Sequence, residues 1–183
     1  MRILSIDEAR SVDRHTSKEL GIQSETLMRN AGNAVAEKVK KMLAVDSGIR
    51  VLLLCGKGNN GGDGYAAAEL LVSWGFDCFI YSSVAQNQIS GEAKTFHDRC
   101  AESGLEITYE LNSSDISLSD FDLIIDGLLG TGIKGQVRPD TAEWIYAINE
   151  SNVPILSIDI PSGVNGDSGQ ISGSAVKADI TVT

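Results

Sequence analysis

The sequence predicts an α/β fold in which a parallel sheet is covered by helices on both faces. Short, nearly uninterrupted apolar runs such as Val51-Leu52-Leu53-Leu54-Cys55 and Leu123-Ile124-Ile125 read as strands buried on both sides. Segments of helical spacing alternate with these runs, the order of successive βα units. Three of the runs also pass into glycine-rich polar loops: 56–64, 127–135 and 161–163. In a parallel sheet, loops at the carboxyl ends of strands face a common crevice, and ligands bind there.

Each element follows from local pattern. Ile6, Ala9 and Val12 recur at helical spacing, and Leu20-Gly21 supplies the stop. A second helix follows a cap at Ser24, with Leu27, Ala31, Val35, Val39 and Met42 on one face and Gly48 closing the stretch. A strand at 51–55 leads into a helix over 63–74, whose Ala67, Leu71 and Trp74 share a face. A strand at 78–81 precedes a helix over 89–103, and a short strand at 106–109 gives way to a Ser- and Asp-rich loop at 111–120. A strand at 121–126 precedes a helix over 140–150, with Pro139 suited to its first turn. Strands at 154–159 and 179–183 complete the pattern. No repeat, low-complexity tract or linker divides the sequence, so residues 1–183 read as one domain. A parallel strand usually continues into a loop or helix, so the last segment fits a domain truncated at its C-terminus.

Composition removes several function classes. Fifteen basic against 25 acidic residues give a net charge of −10, which argues against a nucleic-acid partner, since binding phosphates needs clustered Lys and Arg. The run Lys38-Val39-Lys40-Lys41 reads as the exposed end of a helix. The amino terminus turns acidic at Asp7-Glu8 without an apolar core, unlike a signal or transit peptide. No stretch approaches the roughly 20 apolar residues of a membrane span, so no membrane partner is expected. Cys55, Cys78 and Cys100 are odd in number and widely spaced, as suits buried thiols in a reducing compartment; cytoplasm is the expected location.

The loops carry the chemistry. Gly56-Lys57-Gly58-Asn59-Asn60-Gly61 matches G-x-G-x-x-G between a strand and a helix, where glycines let backbone approach a phosphate at the helix amino terminus. A dehydrogenase would place a ribose-binding acid at the end of the next strand, about 20 residues on. That strand ends Ile80-Tyr81-Ser82-Ser83, and Asp77 lies at its other edge, which weakens an oxidoreductase reading. The plain alternative is a tight βα turn, against which stand two asparagines and Asp63 among the glycines. The second loop, with Gly127, Gly130, Gly132, Gly135, Thr131 and Lys134, can form an anion-binding nest. Asp126 at the preceding strand end offers a carboxylate to a cation, or is simply an acidic terminus in solvent. Asp159 and Ser162 flank Pro161; an aspartate aimed by a rigid strand is a natural acid or base, or else a local turn cap. Asn60, Asp126 and Ser162 offer only oxygen ligands, which suit a hard cation and not zinc. His15 and His97 read as incidental surface or packing residues, Lys57 as solvated, and Trp74 and Trp144 as helix core.

Gly58-Asn59-Asn60-Gly61-Gly62-Asp63-Gly64, then Asp126 with Gly130-Thr131-Gly132, then Asp159-Ile160-Pro161-Ser162-Gly163, resemble the NAD(P)H-hydrate epimerase family, the YjeF N-terminal domain, in order and spacing over nearly the whole chain. Leu27-Met28-Arg29-Asn30-Ala31-Gly32 is similar to that family's L-M-E-N-A-G, with Arg29 in place of glutamate. The resemblance implies a Rossmann-like three-layer αβα sandwich, a homodimer, and an isomerase that interconverts R and S forms of NADHX and NADPHX, nucleotides hydrated at nicotinamide C6. It implies substrate contacts at Asn59, Asn60, Gly61, Gly62 and Asp63, at Gly130, Thr131, Gly132, Ile133, Lys134, Gly135 and Gln136, and at Asp159. It implies a potassium ion at Asn60, Asp126 and Ser162, and an ADP- or ATP-dependent dehydratase as partner, on the same polypeptide or separate. The C6 hydroxyl can leave with help from the ring nitrogen, so Asp159 is assigned the acid–base role. The alternative on the same fold is a non-catalytic nucleotide-binding or protein-interaction module, since relatives of the domain occur in RNA-decapping scaffolds and a lipoprotein-binding protein. Such a module would be free to lose Asn60, Asp126, Asp159 or Ser162, and all four are present.

Overall fold

The computed structural model describes residues 5–43, 48–133 and 135–183. Six strands form one sheet: β1 (Arg50–Cys55), β2 (Asp77–Ser82), β3 (Ile107–Tyr109), β4 (Leu123–Gly127), β5 (Ile155–Ile158) and β6 (Ile180–Val182). Their order is β3-β2-β1-β4-β5-β6, and every neighbouring pair is parallel. This is the Rossmann order, in which the strand sequence reverses between β1 and β4 and opens a crevice at their carboxyl ends.

The helices are α1 (Ile6–Glu19), α2 (Ser24–Met42), α3 (Asn59–Ser73), α4 (Gly91–Glu102) and α5 (Pro139–Glu150). Strand alternation sorts apolar side chains between two cores. Val51, Leu53, Leu123, Ile125, Leu156 and Ile158 face α2, α3 and α4. Leu52, Leu54, Ile124 and Ile155 face the opposite side with Trp144, Ile145 and Ile148 of α5. The predicted three-layer sandwich is the observed one. Among the described residues no helix is long and apolar enough to cross a membrane.

The run from Leu27 to Gly32 acquires a packing role. A Cβ on Gly32 would lie 2.5 Å from that of Ala66, and one on Gly62 would lie 2.5 Å from Met28 Sδ. Helices α2 and α3 therefore pack through small residues, and α2 braces the start of α3. Arg29 pairs with Glu25 at 2.9 Å and lies 5.6 Å from the Phe96 ring centre, an ordinary surface contact network.

Several boundaries move. Helix α3 begins at Asn59, not at residue 63, because close contacts hold Gly61, Gly62 and Gly64 in helical conformation despite their poor helix propensity. The cap of α2 is Gln23, and Ser24 is its first helical residue, whose hydroxyl donates to Glu92 at 2.6 Å. The Ser- and Asp-rich loop holds two single helical turns at Ser113–Asp115 and Leu118–Asp120. Gly21, with φ of +67°, follows the end of α1 as read.

His15 is exposed and lies 3.0 Å from Glu19. His97 is a buried packing residue, within 2.7 Å of Tyr109 Oη and 2.8 Å of Asp98 Oδ1. Trp144 is in the core and stacks on Tyr81; Trp74 is half-buried under the Lys40 ammonium; Lys57 is exposed.

Candidate functional site

Three strand-end loops converge at the crevice. The carboxyl end of β4 delivers Asp126, fully buried, and β5 is registered so that Ser157 lies beside it. Asp126 Oδ2 accepts hydrogen bonds from Ser157 Oγ at 2.7 Å and from the Ser162 backbone N–H at 2.9 Å. Asp126 Oδ1 accepts from Ser162 Oγ at 2.5 Å and from the Leu128 N–H at 3.3 Å. Burial pushes the Asp126 carboxyl above its usual range, and hydrogen bonds from Ser162, Ser157 and Leu128 oppose that shift. The strand end is thus not an acidic terminus in solvent.

Ser162 ties the second and third loops together. Its hydroxyl also accepts from the Leu129 N–H at 2.9 Å, while Asn60 Nδ2 at the start of α3 donates to the Leu129 carbonyl at 2.8 Å. Asn60 Oδ1 is buried and has no hydrogen-bond partner among the described residues. A buried, orphaned amide oxygen asks for a ligand, because leaving it unpaired costs about 1–3 kcal/mol.

The backbone is closely fitted here. A Cβ on Gly61 would lie 1.9 Å from the Gly56 carbonyl, and one on Gly56 would lie 2.0 Å from that of Leu128. These contacts fold the first loop back on itself and press it against the second. Helix α3 then starts with its free N–H groups at the crevice and no acidic residue in its first turn, an electrostatic setting that favours an anion.

Asp159 follows β5 with φ of +62°, a left-handed conformation uncommon for a residue with a side chain. It is half-buried. Gly130 sits between it and α3: a Cβ there would approach Asn60 Cβ to 3.2 Å and Asp159 Oδ2 to 3.5 Å. The carboxylate of Asp159 and the amide of Asn60 thus reach the same small space from different loops.

The remaining positions are arranged more loosely. Asn59 is exposed at the first turn of α3, and Asp63 is half-buried one turn on. In the second loop Thr131 and Ile133 are half-buried, and Gly132, Gly135 and Gln136 are exposed. Lys134 lies outside the described residues. Two features escaped the sequence reading. Ser157, a hydroxyl inside a fully buried strand, is the signal that was there to be used. The other is the approach of α1 to the segment after the third loop: the Ile6 N–H donates to Asp167 Oδ1 at 2.9 Å, and a Cβ on Gly166 would touch both Ile6 and Thr131.

The donor set of Asn60, Asp126 and Ser162 fits a potassium ion. It combines one carboxylate with amide and hydroxyl oxygens, and the unpartnered Asn60 Oδ1 provides a ready ligand. A single charge on Asp126 is matched by a monovalent cation, which would also relieve the cost of burying it.

Comparison with known proteins gives a consistent picture. Residues 24–183 match the family described as YjeF-related protein N-terminus. The chain is 37% identical over 187 residues to the bifunctional NAD(P)H-hydrate repair enzyme Nnr of Thermofilum pendens, an alignment covering 100% of this chain and 35% of that protein. It therefore spans about a third of such bifunctional relatives. It is 33% identical to the NAD(P)H-hydrate epimerase of Rhodopirellula baltica, over 98% of this chain and 73% of the relative. The crystal structure of the yeast protein YNL200c has the same fold, with a TM-score of 0.88, 21% identity, and coverage of 99% of this chain and 79% of that one.

Proposed function

This chain belongs to the YjeF-related N-terminal family, and from that membership and the geometry above we propose that it epimerises the R and S forms of NAD(P)H hydrate at nicotinamide C6. The observation that carries the proposal is Asp159, whose carboxylate borders Gly130 together with the Asn60 side chain at the mouth of the β1–β4 crevice. Relatives spanning most of their own length on this chain are named NAD(P)H-hydrate epimerase.

The substrate is a dinucleotide, and the crevice offers matching parts. The α3 amino terminus and the glycine loops at Asn59–Gly62 and Gly130–Gln136 hold the diphosphate and orient the hydrated ring. C6 of the hydrate bears a hydroxyl beside the ring nitrogen. Asp159 gives a proton to that hydroxyl, the nitrogen lone pair expels water, and the ring carries the positive charge. The planar cation then turns its other face to Asp159, which takes the proton from water adding at C6 there, and the centre is inverted. A potassium ion on Asn60, Asp126 and Ser162 would supply fixed positive charge beneath the loops. Asp126 holds Ser162, which holds the Leu129 backbone, so its part is to position the second loop.

The protein acts in this reading as a cytoplasmic homodimer, with a dehydratase that consumes one epimer as its functional partner. The test mixes the protein with chemically prepared NADHX from which one epimer has been removed. Restoration of the R:S ratio faster than the spontaneous rate supports the proposal. Unaccelerated restoration, with binding of the hydrate retained, assigns the chain a binding role.

A further inference from the structure

The second loop is held at both ends by the chain that follows β5. At its start the Leu129 N–H donates to Ser162 Oγ at 2.9 Å, and just past its end the Val137 N–H donates to the Ser172 carbonyl at 2.9 Å. Ser172 belongs to a hairpin over residues 163–173 that folds back on its own root. Val164 and Ile171 bridge antiparallel, and the Ser172 N–H donates to the Gly163 carbonyl at 2.9 Å. Asn165 shapes the tip, its Oδ1 accepting from the Asp167 N–H at 3.1 Å and from the Ser168 N–H at 2.9 Å.

Between those two ends the loop meets the hairpin at Gly166. A Cβ there would lie 3.3 Å from Thr131 Cγ2 and 3.2 Å from Ile6 Cδ1, so the loop, the hairpin and the first turn of α1 converge on one point. The Ile6 N–H is one of the free donors at the start of α1, and Asp167 Oδ1 accepts from it at 2.9 Å. A carboxylate at a helix amino terminus also suits the dipole. Past that turn α1 is poorly held. Ala9, Val12 and Lys18 are exposed, Val12 to 52%, and no described residue of α1 belongs to either core. A helix of 14 residues is marginal without tertiary packing. Its capping box of Ser5 and Glu8 sets where α1 begins, whereas Ile6 and Asp167 set where it lies.

We propose that Ile6 and Asp167 are positioning residues for the substrate: the first turn of α1, anchored on Asp167, sets the Ile6 side chain against the hairpin at Gly166 and so fixes Thr131 and the second loop in the shape that receives the dinucleotide. The inference rests on the epimerase reading and adds to it two residues that act through the loop without touching substrate. Because α1 stands outside both cores, releasing its first turn leaves the sheet and the Asp126–Ser162 circuit intact. The loop between Leu129 and Val137 then samples more conformations, and ordering it again on binding costs affinity. Once the hydrate is bound, Asp159 meets C6 as before. The loss therefore falls on KM and not on kcat.

R:S relaxation measured over a range of NADHX concentrations separates the two constants. Ile6→Ala and, independently, Asp167→Ala should each raise KM by about fivefold or more, with kcat within about twofold of wild type. Asp167→Asn keeps an oxygen that accepts from the Ile6 N–H and should restore the wild-type KM. Hydrogen exchange read by mass spectrometry needs no substrate: peptides covering residues 129–137 should exchange faster in both alanine variants, while those covering β1 and β4 keep the wild-type rate. An unchanged KM in either alanine variant of the active enzyme, a fall in kcat at constant KM, or unchanged exchange over residues 129–137 overturns the inference. So does an asparagine variant no better than the alanine one, or faster exchange spread through β1 and β4. If wild type does not accelerate relaxation, yet the loop's exchange responds to both alanine variants and not to Asp167→Asn, the activity assignment falls and the coupling of α1 to the loop stands.

Discussion

Replacing Ser162 by alanine tests how the site is built, independently of what it binds. The hydroxyl donates to Asp126 Oδ1 at 2.5 Å and accepts from the Leu129 N–H at 2.9 Å. A hydrogen bond to a charged group contributes about 1.5–3 kcal/mol, and orphaning a buried donor costs about 1–3 kcal/mol. After the substitution, Asp126 Oδ1 keeps only the weaker 3.3 Å contact with the Leu128 N–H. The sum is about 4 kcal/mol, and at roughly 2–4 °C per kcal/mol the melting temperature falls by roughly 8–16 °C. Ser157→Ala removes one bond to Oδ2 while the Ser162 N–H still donates there, so it should cost about half as much. Thermal and urea unfolding of both variants, followed by circular dichroism in potassium-free buffer, gives the comparison. A loss below 1 kcal/mol for Ser162→Ala, or a larger loss for Ser157→Ala, would refute the reasoning.

Other consequences concern the cradle, the thiols and the cation. Gly61→Ala drives a Cβ into the Gly56 carbonyl and should cost about 3 kcal/mol or more, whereas Gly58→Ala meets open space and should cost less than about 1 kcal/mol; unfolding curves decide. Burial pushes the Cys78 and Cys100 thiols up to about 12 and raises Cys55 well above its ordinary value, so Ellman's reagent at pH 8 should find no fast thiol in native protein and three after denaturation. Since folding raises these pKa values, the thiol contribution to stability is intact below the unfolded value of 9.0 and is lost as pH climbs toward about 12. Potassium should raise the melting temperature of wild type, by the equivalent of about 2.7 kcal/mol at a hundred times its Kd, and Asn60→Ala should abolish the rise. An identical shift in that variant would move the ion elsewhere.

Much of the architecture was legible in the sequence because the strands are so apolar. Val51 to Cys55 and Leu123 to Ile125 admit little but a doubly covered sheet, and their glycine-rich ends point to the crevice. The start of α3 was not legible, since glycines at 61, 62 and 64 disfavour a helix locally and are required there by contacts with Gly56, Met28 and Cys55. The left-handed backbone of Asp159 leaves no mark in its neighbours either; it is imposed by how the chain turns away from β5. Asn60, Asp126 and Ser162 were recognisable as oxygen donors, but their hydrogen-bond circuit through Ser157 and Leu129 depends on strand register, which one-dimensional pattern does not supply.

The most direct test of the account is Asp159→Asn in the epimerisation assay. Asparagine tolerates a φ of +62° as well as aspartate does, so the variant should keep the wild-type circular dichroism and melting temperature. With the fold preserved, R:S relaxation of NADHX should drop to the spontaneous rate while wild type restores the equilibrium ratio well ahead of it. Near-normal relaxation by the asparagine variant would contradict the assignment of Asp159 as the group that moves the proton at C6.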